Sequence, residues 1–135
     1  MIFTKAKITR IMIDFFDRDN RRIEHALNVM LQAELILAQE DIACDYEIVT
    51  ATALLHDVGI KPSEEKLGYN NGKTQEEFGP PVAEKLLKLI DFPPLKIEKI
   101  KEIIGNHHSP SRYDYPELEI LKRADRIVNR SDETA

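Results

Sequence analysis

The sequence contains a single cysteine, Cys44. No intrachain disulfide can form, and the chain reads as one suited to a reducing compartment. Glycine is scarce, at five residues. Nowhere do the glycines gather into a phosphate-cradling loop with a Walker-type lysine, so nucleotide-driven work is not expected. Positive charge is also short. Nineteen Lys and Arg stand against 24 Asp and Glu, a net charge of −5. That balance argues against nucleic acid as the main partner, because a phosphate backbone asks for a Lys/Arg surplus. A small phosphorylated ligand needs only a local basic cluster and is not excluded. No apolar run approaches the ~20 residues of a membrane span. The opening Met-Ile-Phe-Thr-Lys-Ala-Lys has no long apolar stretch and no small-residue cleavage site, so the expectation is a soluble, cytoplasmic protein. Alternating strand patterns of useful length are missing, as are internal repeats.

What is present is helical periodicity. The 135 residues suffice for one domain that buries about two thirds of the surface its unfolded chain exposes. Ile8, Ile11, Met12, Phe15 and Phe16 recur at helical spacing, which predicts an amphipathic helix over about 4–17. This helix can pack on its own core or on a second copy of the chain, which leaves a homo-oligomer open. Asp19 or Asn20 can cap a second helix running to about Gln39, with Ile23, Ala26, Leu27, Met30, Leu31 and Leu35 expected in the core. Asp45 caps a third, roughly 46–58, which is apolar nearly all round and therefore central. Gly59 fits its C-terminal stop. Residues 60–73, with Pro62, Gly68, Asn70, Asn71 and Gly72, read as a long loop of the kind that is functional or mobile. Thr74-Gln75-Glu76-Glu77 matches a capping box, followed by a short turn and a main helix starting near Pro80 or Pro81. Ile97, Ile100, Ile103 and Ile104 mark a fifth helix. Leu118, Leu121, Ala124 and Val128 mark a sixth, beyond which Ser131 to Ala135 is expected to fray.

The four histidines are where chemistry concentrates. His56 precedes Asp57 directly at the end of the apolar third helix. A carboxylate ending an apolar run needs a cation or several donors. A metal answers that need, and so does a loop that hydrogen-bonds the carboxylate. His25 lies on the second helix. By itself it reads as easily as a core or surface residue. His107 and His108 are adjacent. Asp125 repeats the Asp57 anomaly beside Ala124, although an exposed ion pair with Lys122, Arg126 or Arg130 would also account for it. Arg22 lies one helical turn before His25, so the two share a face, and an arginine there suits a bidentate phosphate grip. Imidazole and carboxylate together make a site for a divalent transition metal.

Taken in order, Arg-Arg-Ile-Glu-His (21–25), Ala-Leu-Leu-His-Asp-Val-Gly (53–59), Ile-Ile-Gly-Asn-His-His (103–108) and Ala-Asp-Arg-Ile-Val-Asn (124–129) resemble the HD-domain superfamily of metal-dependent phosphohydrolases. The resemblance covers Arg21 through about Asn129. It implies an all-α bundle of about five core helices. The whole chain, 1–135, is then expected to be one HD-type domain of about six helices, with residues 1–20 as an N-terminal helix and 21–130 as the metal-binding core. It also implies that His25, His56, Asp57 and Asp125 hold one divalent ion, with Mn, Fe, Co, Ni, Zn or Mg as candidates. Two departures stand out. Dimetal members carry a further histidine between the His-Asp pair and the His-His pair, and this chain has none; Glu76 or Glu77 falls roughly there. One tightly held ion is therefore expected, with a weaker second ion allowed if the 60–73 segment brings Glu76, Glu77, His107 and His108 together. In many members a lysine directly follows His-Asp-x-Gly, whereas here Ile60 intervenes before Lys61.

The expected function is a metal-dependent phosphohydrolase acting on a small phosphorylated substrate, with a nucleotide as the first candidate. Asp57 or Asp125 would hold or deprotonate a water, while Arg22, Lys61 and one of His107 and His108 would stabilise charge on the phosphoryl group. The pair could equally end a helix as cationic side chains. A binding module that senses a nucleotide without hydrolysing it is the alternative reading. A purely structural helical domain is a third, and an oxygenase fits less well because that chemistry usually asks for two metals.

Overall fold

The computed structural model describes residues 3–134, with side chains described for 3–131. Among the described residues every regular element is an α-helix: α1 (Thr4–Phe16), α2 (Asn20–Gln39), α3 (Tyr46–Leu55), α4 (Ile60–Leu67), α5 (Gly72–Lys88), α6 (Pro94–Ile104) and α7 (Pro116–Thr134). The all-α expectation holds, with one helix more than periodicity gives. No described helix is long and apolar enough to cross a membrane.

Helix α3 is the centre. Ile48, Val49 and the run from Ala51 to Leu55 are all buried, and α1, α2, α6 and α7 pack around it. Its start is fixed by Asp45, whose carboxylate accepts the N–H groups of Glu47 (3.0 Å) and Ile48 (3.2 Å). Asp19 caps α2 in the same way through the N–H of Arg22. Helix α1 sits on its own chain's core through Ile8, Met12 and Phe16.

Several expectations give way. The buried stripe of α2 is Ala26, Val29, Ala33 and Ile36, while Leu31 and Leu35 are 51% and 42% exposed. The two leucines lie about 200° round the helix from Val29 and Ala33. The smaller side chains are the ones that face α3 and α7 and permit close packing.

The segment expected to be a loop holds α4. Pro62 is its third residue, where a missing N–H costs nothing. Gly68 ends α4 at φ +81, a left-handed conformation that favours glycine. Asn71 then caps α5 in a capping box with Thr74, so α5 begins at Gly72. It runs on through Pro80 and Pro81, and the burial of Ala83, Leu86 and Leu87 beyond them overrides the prolines' tendency to break a helix.

Gly59 is not a left-handed stop, since its φ is −77. It is a point of close approach. A Cβ there would lie 2.6 Å from the backbone nitrogen of Gly79 and 2.8 Å from the carbonyl oxygen of Gln75. The turn after α3 thus presses directly on the backbone of α5. At the other end of the chain α7 stays helical through Thr134, and Ala135, part of the tail expected to fray, lies outside the described residues.

Candidate metal centre

Four helical positions converge at the end of α3. His56 follows the last residue of α3 and Asp57 stands in the turn behind it. His25 comes from the second turn of α2, and Asp125 from α7, which packs against both α2 and α3. His25 Nε2 lies 3.0 Å from Asp125 Oδ1 and 3.5 Å from Asp57 Oδ2. His56 Nε2 lies 3.4 Å from the same two oxygens. The four residues that sequence reasoning grouped are therefore one cluster. His56 is fully buried, whereas the side chains of His25, Asp57 and Asp125 keep 14–16% exposure, so the cluster opens to solvent on one edge.

The protonation pattern is that of a ligand set. His56 Nδ1 lies 2.8 Å from the carbonyl of Ala53. A carbonyl can only accept, so Nδ1 carries the hydrogen and Nε2 is the atom turned to the carboxylates, where it holds either a second proton or a metal ion. That Nε2 is buried and makes no well-formed hydrogen bond. His107 repeats the arrangement: Nδ1 donates to the carbonyl of Ile104 at 2.5 Å, and Nε2 is buried without a partner. Buried polar atoms without partners are costly. A backbone carbonyl behind an imidazole is also the usual way that a metal-binding histidine is oriented.

Electrostatics agree. Burial pulls the His56 imidazole down, but the charges of Asp57 and Asp125 overcome it and hold it at about 9. The site demands a cation beside Nε2, either a proton or a metal ion. Burial would raise Asp125, yet bonds from His25 and His56 hold it far below the usual carboxylate range. His107 is pushed down to about 4 by burial first and then by His56 and His108, so it is neutral.

His107 and His108 stand next to this cluster. The rings of His56 and His107 are 5.5 Å apart, and Asp57 Oδ1 is 4.0 Å from His107 Nε2. Ligand atoms of Asp57, His107 and His108 all lie within 4.8 Å of one another, as do those of His25, His56 and Asp125. Asp57 therefore faces both groups. The group that forms beside the paired histidines differs from the one expected from the sequence. Glu77 is exposed, and Glu76 is occupied in accepting the His108 N–H (3.0 Å) and the Ser109 hydroxyl (2.7 Å).

One feature of the site has no sequence signal at all. Glu64 can only accept, so Asn70 donates its amide to it at 2.9 Å. The Asn70 oxygen then accepts from the Gln75 amide at 2.9 Å, and the Gln75 oxygen faces His108 Nε2 at 2.6 Å. The direction of each bond follows from the carboxylate at the start of the chain. His108 must carry its hydrogen on Nε2, which leaves its Nδ1 lone pair free. The other Glu64 oxygen holds Arg22 at 3.3 Å, and Asp19 holds the same guanidinium at 2.9 Å. Arg22 lines a cleft of about 720 Å³ together with His25 and Asp57. Lys61 does not line this cleft. It is exposed, with its ammonium 5.7 Å from the centre of the Phe15 ring.

The HD domain family model matches residues 22–130. An uncharacterized protein of Clostridium beijerinckii is 28% identical over 116 residues, covering 83% of this chain and 69% of that protein. Among solved structures, a predicted HD superfamily hydrolase of an uncultured Thermotogales bacterium is 26% identical. It superposes with a TM-score of 0.69 over 96% of this chain and 74% of its own.

Proposed function

This chain belongs to the HD domain family, and on that premise we propose that it is a metal-dependent phosphohydrolase acting on a small phosphorylated substrate, with nucleotides as the first class to test. The observation that carries the reading is the buried His56 Nε2, which has no hydrogen-bond partner, is oriented by the Ala53 carbonyl, and faces two carboxylates. Mixed imidazole and carboxylate donors fit Mn, Fe, Co, Ni or Zn better than a purely oxygen-seeking ion, with Mg still to be tried. His25, His56, Asp57 and Asp125 would hold one ion tightly. Asp57, His107 and His108 would hold a second more weakly, because Asp57 is shared between the groups.

When bound, a divalent ion lowers the pKa of a coordinated water and withdraws charge from a phosphoryl oxygen. The chain's own groups do the rest. Asp57 and Asp125 present carboxylate oxygens on the open edge of the cluster that can hold the attacking water, and Asp57 is the better placed to take its proton, because Asp125 is held far below the usual carboxylate range. His107, neutral at physiological pH, and His108, whose Nε2–H is pinned by Gln75, border the same space. Arg22 offers a guanidinium fork toward the phosphoryl group from the cleft beside His25. Lys61, on the Phe15 ring, has no such part unless its side chain swings away.

The test is a phosphatase screen over a nucleotide panel with the protein loaded in turn with each metal, against a chelated control. Metal-dependent release of phosphate supports the proposal. Full metal occupancy with no turnover on any phosphate ester overturns it, and tight nucleotide binding under those conditions favours the sensing module.

A further inference from the structure

The start of α5 grips His108 at three positions. Gly72 is the first residue of the helix. A Cβ there would lie 2.9 Å from His108 Cβ and 3.1 Å from its Cγ, so the backbone of the first turn presses against the histidine. One turn on, the Gln75 oxygen lies 2.6 Å from His108 Nε2. The next residue, Glu76, accepts the His108 backbone N–H at 3.0 Å. Gln75 is buried, so its two polar atoms depend on Asn70 and His108 for partners. The turn that supplies Asn70 is fixed as well. Ser63, fully buried on α4, donates its hydroxyl to the Tyr69 carbonyl at 2.7 Å and lies 2.8 Å from Thr74 Oγ1. On the other side of Asn70, Asn71 and Thr74 close the capping box of α5.

The polarity of this chain of bonds is set at its far end. Arg22 can only donate and the Glu64 carboxylate can only accept. Asn70 must then donate to Glu64, Gln75 to Asn70, and His108 to Gln75. No member can reverse without the others. The result is one tautomer in a ring that stands in a candidate ligand group with Asp57 and His107. Metal-binding imidazoles are fixed in this way by a group behind the ring. His56 and His107 use backbone carbonyls, and in both the pinned nitrogen is Nδ1. In His108 the pinned nitrogen is Nε2, and the acceptor is the Gln75 side chain.

We propose that Gln75 is a positioning residue for His108: oriented by Glu64 through Asn70, it holds the ring as the Nε2–H tautomer and leaves Nδ1 as the atom that binds the second, weaker ion. This rests on the metal-dependent reading above and deepens it. Gln75 acts only through His108, and Glu64 acts on His108 without touching it.

The experiment replaces Glu64 with glutamine in the full chain. Glu64 is exposed, and Glu64→Gln keeps its shape. Arg22 still takes an oxygen, so the new amide nitrogen turns to Asn70 and every bond in the chain reverses. His108 Nε2 then becomes an acceptor, with the hydrogen on Nδ1. Long-range proton–nitrogen correlation spectra of the metal-free protein, in mildly alkaline buffer, read the tautomer directly. The wild type is expected to show Nε2–H and Glu64→Gln to show Nδ1–H. The same tautomer in both overturns the relay. Gln75→Glu is the control. A carboxylate there accepts from His108 whatever stands at 64, so Gln75→Glu and Gln75→Glu/Glu64→Gln should both keep Nε2–H. Nδ1–H in either also overturns the relay. Titration with Mn or Zn, without substrate, follows. Glu64→Gln should weaken the second ion by at least about tenfold and leave the first unchanged. Equal second-ion affinity, or no second ion in the wild type, overturns the role of Nδ1. Neither readout involves hydrolysis, so failure of the phosphatase screen is distinguishable from failure of the relay.

Discussion

Replacing Gly59 with alanine tests how the turn after α3 is locked to α5. The new Cβ would lie 2.6 Å from Gly79 N, 2.8 Å from Gln75 O and 2.9 Å from Gly79 Cα, whereas ordinary contact begins near 3.4 Å. All three are backbone atoms and cannot rotate aside. Helix α5 or the turn must move by roughly 0.8 Å, the difference between 3.4 and 2.6 Å. Overpacking of this kind costs about 1–3 kcal/mol. The φ of −77 suits alanine, which returns about 0.4–1 kcal/mol by restricting the unfolded chain. The net destabilisation is about 1–2 kcal/mol, a drop in Tm of about 3–8 °C for a domain of this size. Thermal melts followed by circular dichroism, with metal in excess, give the answer. Gly68 is the control: nothing lies within 4 Å of its Cβ position, but its φ is +81. Gly68→Ala should cost about 1 kcal/mol, and Gly68→Asn should recover much of it because asparagine tolerates that conformation. Gly59→Asn should be worse than Gly59→Ala. A Tm for Gly59→Ala equal to or above the wild type would refute the close-approach argument.

His56→Ala and Asp57→Ala should each abolish tight metal binding while keeping the helical spectrum, because the apolar faces are untouched; metal content after dialysis is the readout, and full occupancy in both would sink the assignment. Arg22→Ala should raise KM about tenfold, as expected for loss of a charge-assisted contact, without emptying the metal site; unchanged activity at low substrate would make it a surface residue. Protein stripped by a chelator should lose Tm as pH rises from 7 to 10. The folded His56 is raised to about 9 from 6.5, so its contribution is complete below 6.5 and lost through 9; a flat or rising profile would contradict the charge placement. Anomalous scattering should find one fully occupied ion at His25, His56, Asp57 and Asp125, and two full sites less than about 4 Å apart would overturn the single tight ion.

The core of this fold was legible where side-chain pattern and burial coincide. Helix α3 announces itself because an apolar run has no polar face to mislead, and Asp57 stands out against it. The His25 and Asp125 contacts became readable through their resemblance to a family, since nothing within either helix points at the other. Leu31 and Leu35 misled because they continue the apolar spacing set by Leu27, whereas tight packing on α2 follows the row from Ala26 through Val29, Ala33 and Ile36. Helix α4 was hidden by Pro62 and Gly68, which look like loop punctuation and turn out to be a first-turn residue and a terminator. Gln75 could not be found from the chain, because its role depends on α5 and the His107–His108 loop meeting in space. Lys122, Arg126 and Arg130 were weighed only as an alternative set of partners for Asp125, whose carboxylate lies against His25 and His56 instead.

The central position of α3 sets two clocks for this protein. Amides of α3 sit in the densest part of the molecule and should exchange with solvent only when the whole chain unfolds. Apart from the buried Gln75, the Arg22–Glu64–Asn70–Gln75 rim stands on partly exposed side chains around α4, a short helix that packs mainly on α5. Such a rim can open and reclose many times within one lifetime of the core. Ligands at the end of α3 would therefore outlast many visits by a substrate. Hydrogen exchange should separate the two, with fast, locally opening amides at 60–75 and slow, globally opening ones at 48–55.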